Sequence, residues 1–205
     1  MKTFFCLSFL LVLALPIRVQ TNDADSSPAE NTPPEKTVML YAEAQLAYLY
    51  LNQIRQNPPE YSAEIGLNLD KVKPIHPLKW NDTLARVAEE KAADMATRDY
   101  FGHQTPEGIG INRQIHDAGY KIPFYMIKNK SDNCFESCGG GYRDGFSLIR
   151  GLIFDEGTPG KGHRKHLLGL DSFWAKCRDI GIGIAFNSQS EYKYYACVII
   201  ADHNY

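Results

Sequence analysis

Two histidines in this chain stand where a side chain can turn into a cleft. His163 follows Gly157, Gly160 and Gly162 and leads into the apolar pair Leu167-Leu168. His103 lies some sixty residues upstream, in Tyr100-Phe101-Gly102-His103-Gln104-Thr105-Pro106-Glu107-Gly108. Carboxylates occupy comparable places. Glu136 precedes a run of glycines, and Asp155 and Glu156 close an apolar segment beside Gly157. Two imidazoles with one or two carboxylates can hold zinc or another divalent cation through nitrogen and oxygen. The carboxylates can instead accept from the ring N–H groups and fix their tautomers. Hydrolysis is the alternative use, with His103 and His163 as metal ligands and Glu136 as general base. Ser137 adds a Ser–His–Glu arrangement on paper, yet no Gly-x-Ser-x-Gly elbow and no oxyanion-hole signal accompany it. Non-enzymatic binding therefore ranks above catalysis. His166 reads as a surface histidine, and His76, His116 and His203 carry no pattern.

These side chains need a frame. Leu40, Ala44, Ala47, Tyr48, Leu51 and Ile54 recur at helical spacing and predict a helix over 38–56, stopped by Pro58-Pro59. The clearest helix starts at Asn81 or Asp82 and ends near Asp99. Leu84, Val87, Ala88, Ala92 and Met95 trace one face, and Lys91 alone breaks it. His103 then falls just past a helix end. Shorter helices are expected over 108–118 and 144–154. Residues 120–133 read as loop with one strand, and 134–141 as a strand meeting close backbone. Segments 178–186 and 192–201 alternate as a terminal hairpin turned at 187–191. Helices followed by a hairpin make an α+β layered domain.

At the start of the chain, Lys2 precedes an apolar run over 4–15 that Pro16 closes. The run is too short to span a bilayer and reads as a signal peptide over 1–20. Residues 21–36 are polar and proline-bearing and read as a disordered leader. The remainder, 37–205, suffices for a single domain with a sizeable core. With no transmembrane segment in view, the expectation is a secreted, extracellular protein. Loss of 1–20 removes two bases, Lys2 and Arg18, and no acids, taking the formal charge from −2 to −4. Without a basic stripe, nucleic acid is not a partner. Cys134, Cys138, Cys177 and Cys197 remain, and an oxidising route predicts two disulfides. Of three connectivities, Cys134–Cys138 with Cys177–Cys197 is favoured. Asn81-Asp82-Thr83 and Asn129-Lys130-Ser131 are glycosylation sequons if the host is eukaryotic.

Five segments resemble, in order, the motifs of one family. They are Leu51-Asn52-Gln53-Ile54-Arg55, Leu78-Lys79-Trp80-Asn81-Asp82-Thr83-Leu84-Ala85, Tyr100-Phe101-Gly102-His103 with Thr105-Pro106-Glu107-Gly108, Gly162-His163-Arg164 with Leu167-Leu168, and Asp179-Ile180-Gly181-Ile182-Gly183-Ile184-Ala185. Together they resemble the CAP superfamily of cysteine-rich secretory, antigen-five and pathogenesis-related proteins, also called the SCP domain. The third and fourth are similar to its bacterial-type segments. The resemblance implies a three-layer α–β–α sandwich with a small central, mainly antiparallel sheet. It also implies a cleft with two histidines and two acids. His103 and His163 match the histidines. Glu136 falls at the glutamate of a "G-E-N" motif whose flanking glycine and asparagine are here Phe135 and Ser137. The second acid falls at Asp155 or Glu156, with Leu152 replacing an expected aromatic. Implied partners are sterols or other lipids, extracellular proteins or cell-wall material, with a divalent metal in the cleft. The alternative is a metal-dependent secreted hydrolase or protease using the same cleft.

Overall fold

Alternation late in the chain builds the centre of the molecule. In a computed structural model describing residues 37–202, β4 (Asp179–Phe186) and β5 (Tyr194–Ala201) pair antiparallel, with Ile182 opposite Val198. The expected signal peptide, the leader and His203 lie outside the described residues. β3 (Glu136–Gly140) extends the sheet antiparallel to β5. β1 (Val38–Met39) lies antiparallel on the end of β4, and β2 (Lys79–Trp80) lies parallel on its start. The order β1-β4-β5-β3 leaves β3 at an edge.

Side chains leave the two faces of this sheet alternately, and each face buries its own set. Ile180, Ile182, Ile184, Ala196, Val198 and Ile200 pack with residues of α1 (Tyr41–Gln56), α5 (Gly145–Phe154) and α6 (Gly162–Leu168). Cys197, Ile199 and Ala201 pack with α3 (Asp82–Arg98) and α4 (Ile111–Asp117) on the other face. A short α2 (Ser62–Ile65) completes the helices. The result is the α–β–α sandwich implied by the motifs.

Local chemistry sets the helix ends. Asn81 accepts from the Leu84 amide at 3.1 Å and starts α3. Asp144 and Ser147 form a capping box on α5. On β4, Gly181 and Gly183 turn their missing side chains toward α3. A Cβ there would fall on the backbone of Leu84–Ala85 and of Ala88–Glu89, so helix and strand touch main chain to main chain. Fully buried Arg55 ties α1 to α6 by donating from Nη1 to the Leu167 carbonyl at 2.6 Å.

Several expectations are corrected. The first helix begins at Tyr41 because Val38–Met39 joins the sheet, where Leu40 N donates to Ile184 O. Residues 120–133 contain a 3-10 turn at Phe124–Ile127 and no strand. There, Asn112 holds the segment by donating to Met126 O and accepting from Cys134 N. β5 starts at Tyr194 because Lys193 has φ 61°. His163 belongs to the first turn of α6, not to a loop.

The cysteines are also corrected. None of the four described cysteines is joined in a disulfide. From Phe135, whose carbonyl bonds Ile200 N, to Cys138 opposite Cys197, the chain runs along β5. Phe135 to Cys138 spans roughly 10 Å at ~3.3 Å per residue, so the extended chain carries Cys138 away from Cys134. Cys177 precedes Asp179, which lies opposite Ala201, so Cys197 is at least four residues away along β5. That is roughly 13 Å or more, outside the Cα reach of a Cys177–Cys197 bridge in this fold.

Candidate functional site

Edge strand β3 divides its side chains between two layers. Glu136 and Cys138 lie opposite Ile199 and Cys197 and face α3, whereas Ser137 lies opposite Val198 and faces α6. The two histidines approach this edge from opposite sides.

His103 comes from the α3 layer. The helix ends in left-handed Asp99, φ 50°, and the chain doubles back. Tyr100 Oη donates to Asp94 at 2.6 Å, and Phe101 packs on Tyr192 with ring centroids 5.1 Å apart. Lys91, the charged residue on the apolar face of α3, is buried and donates to Tyr100 Oη at 3.2 Å. These contacts bring His103 Nδ1 to 2.9 Å from Glu136 Oε2. The imidazole is 47 % exposed while the carboxylate is fully buried. Glu136 Oε1 accepts from the Cys197 thiol at 3.2 Å. Burial, then the Glu136 charge, pushes both the Cys138 and Cys197 thiols well up from the ordinary cysteine value.

His163 comes from the other layer. α5 stops at left-handed Asp155, φ 53°, and Gly157 and Gly160 at φ 73° and 74° carry the turn into α6. His163 Nδ1 lies 2.8 Å from Asp155 Oδ1. Asp155 Oδ2 accepts from the Arg164 amide at 3.2 Å. Arg164 braces the turn by donating from Nε and Nη2 to the carbonyls of Ile153 and Phe154, at 2.7 and 2.6 Å. Burial alone would raise the Asp155 carboxyl. Hydrogen bonds from Thr158, Arg164 and His163 outweigh it and hold the group below the usual aspartate range. Asp155 therefore partners His163, and Glu156 lines the neighbouring pocket.

That pocket has a volume of about 420 Å³. Its walls include Phe101, Tyr142, Leu152, Phe154 and Tyr192, with Cys138, Gly139 and Gly140 of β3 beside them. His163 and Asp155 line it. His103 and Glu136 do not, but His103 Nδ1 is 3.7 Å from the Cys138 sulfur that does. Sequence reasoning missed Phe101, Tyr142 and Cys138 as lining residues and placed Tyr192 only at the start of a strand. No periodicity distinguishes a ring that walls a pocket from one that fills a core.

His166 overturns its expectation as a surface residue. It is 2 % exposed, and its Nδ1 meets Ser137 Oγ at 2.7 Å. Nε2 lies near the Ile200 backbone without reaching hydrogen-bond geometry, and has no partner among the described residues. Burial lowers its pKa from 6.5 to about 3, helped by charge on His163, Arg55 and His103. The serine of the paper Ser–His–Glu arrangement thus meets a third histidine, on the face of β3 away from Glu136. Both members are sealed from solvent.

Two donor sets are available for a cation. His103 and His163 each commit Nδ1 to a buried carboxylate, which leaves Nε2 without a hydrogen-bond partner among the described residues. This is how outer carboxylates orient metal-binding imidazoles, and it leaves Nε2 of each ring as a donor suited to a divalent cation. Separately, His103, Glu136 and Cys138 offer three donor atoms within 4.8 Å of one another.

Sequence and fold together match a known family. A family model described as "Cysteine-rich secretory protein family", CAP, matches residues 48–199, and the chain belongs to this family. An extracellular protein containing an SCP domain from Bacillus anthracis shares the fold with TM-score 0.52 and 19% identity over 79% of this chain. The chain spans 41% of that protein's length. An outer surface protein from Borrelia burgdorferi aligns with TM-score 0.53 and 14% identity, covering 82% of this chain and 98% of its own. No curated protein matches the chain. No helix among the described residues is long and apolar enough to cross a membrane.

Proposed function

We propose that this chain is a secreted, extracellular CAP-domain protein that works by binding, and that its ligand is a sterol or another lipid. One observation carries the reading. An aromatic-walled pocket of about 420 Å³ ends at an imidazole already turned by a buried carboxylate. That volume suits a small ligand with an apolar body and a polar end. A cation on His103 and His163 would supply a positive anchor for that polar end. Glu136 and Asp155 fix the two rings beforehand. Catalysis has less support, because the serine that meets a histidine is buried outside the pocket.

Binding of a fluorescent sterol to the full chain tests this. Saturable binding is expected, weakened at least about tenfold by the paired substitutions Phe101→Ala and Tyr192→Ala, which strip one aromatic wall. Absence of saturable binding, or equal affinity in the variant, contradicts it. Peptide or ester hydrolysis abolished by a chelator would favour the metal-dependent hydrolase.

A further inference from the structure

Cys138 and Cys197 stand directly opposite each other across β3 and β5. At the two ends of this pairing, Ile200 N donates to Phe135 O and Gly141 N donates to Tyr194 O. Those bonds fall on the odd-numbered residues Phe135 and Gly141 that flank β3. Antiparallel ladders alternate, so the Cys138–Cys197 pair is one of the intervening pairs without hydrogen bonds. In such pairs the Cα atoms approach to about 4.5 Å and the side chains share a face. Disulfides form at Cα separations of about 4.4–6.8 Å. The two thiols also converge on one carboxylate. Cys197 donates to Glu136 Oε1, and Cys138 shares the donor cluster with His103 and Glu136.

We propose that Cys138 and Cys197 are a redox pair that forms a cross-strand disulfide, and that its formation withdraws Cys138 from a thiolate-containing zinc site with His103 and Glu136. The oxidant is a low-molecular-weight disulfide such as oxidised glutathione. Cys138, the one of the pair that lines the pocket, meets the oxidant; on losing its proton its sulfur attacks a glutathione sulfur and expels glutathione thiolate. The second cysteine then displaces the remaining glutathione and closes the Sγ–Sγ bond. The two departing thiolates take up the two protons that the cysteines lose. Oxidation leaves His103 with His163 as its metal-binding partner. It also removes the Cys197 donor from Glu136. The inference rests on the cleft reading only in giving His103 a metal to hold.

The full chain, incubated or refolded with oxidised glutathione, is digested without reductant and mapped by mass spectrometry. Linked Cys138 and Cys197 peptides are expected; unlinked peptides, or links to Cys134 or Cys177, overturn the proposal. Zinc binding is then measured in His163→Ala, which removes the alternative partner. Reduced His163→Ala is expected to bind one zinc at least about tenfold more tightly than the oxidised form, and addition of Cys138→Ser abolishes the difference. With Cys197→Ser added, Cys138 is expected to stop at the glutathione mixed disulfide, which the mass of the intact chain reads. Equal zinc affinity before and after oxidation overturns the gating. The peptide map uses unsubstituted protein, so it decides even where a variant fails to fold, and its outcome is independent of sterol binding.

Discussion

Replacing Gly183 by alanine is expected to destabilise the fold by about 3 kcal/mol, the upper end of the usual overpacking cost. The added Cβ would meet the backbone of Ala88 and Glu89, and α3 has no flexible side chain there to move aside. The helix must lift from the sheet, loosening Leu84, Val87 and Ala88 against Ile199 and Ala201. Gly162→Ala is the control. A Cβ on Gly162 meets nothing within 4 Å, and its φ of −62° suits any residue, so the change stays within about 0.5 kcal/mol. Urea unfolding of the two variants checks the contrast. Equal midpoints would show that α3 does not rest on the backbone of β4.

Acid is expected to weaken the fold through His166. Its folded pKa of about 3 lies below the ordinary 6.5, so between these values the unfolded chain takes a proton that the folded chain refuses. Stability from this residue is complete above pH ~6.5 and is lost progressively as pH falls toward 3. By pH 4.5 the loss is on the order of 2–3 kcal/mol. Depressed carboxylates such as Asp155 act lower, as pH falls through the ordinary aspartate range near 4. Unfolding free energies at pH 7 and 4.5 isolate the histidine. His166→Gln, which keeps a polar partner for Ser137, is expected to lower stability at pH 7 and to flatten the slope. An unchanged slope in that variant would assign the acid sensitivity elsewhere.

How much of this was legible in the sequence varies by residue. Residues Leu84 to Met95 announced α3 because a surface helix leaves a one-sided apolar stripe. The alternation over 178–186 announced β4. The sandwich followed from motif order. Register did not, because composition cannot say which cysteines face each other. Only the β3–β5 ladder puts Cys138 opposite Cys197. His166 misled for a related reason. A histidine between lysine and leucine looks solvent-facing until α6 turns it onto Ser137. Asp155 and Glu156 were equivalent by sequence, and the left-handed end of α5 separates them by turning Asp155 onto His163. The aromatic wall was illegible because Phe101 and Tyr192 meet across ninety-one positions of chain.

On the proposed reading, the two histidine–carboxylate pairs, one from each helical layer, share one cation at the edge of β3. Zinc stoichiometry of the oxidised full chain at neutral pH tests this most directly. One zinc per chain is expected in the unsubstituted protein, with affinity falling at least about a hundredfold in His103→Ala and equally in His163→Ala, since loss of either imidazole leaves too few ligands. A zinc-free unsubstituted protein, or full affinity retained in either single variant, would contradict a shared site.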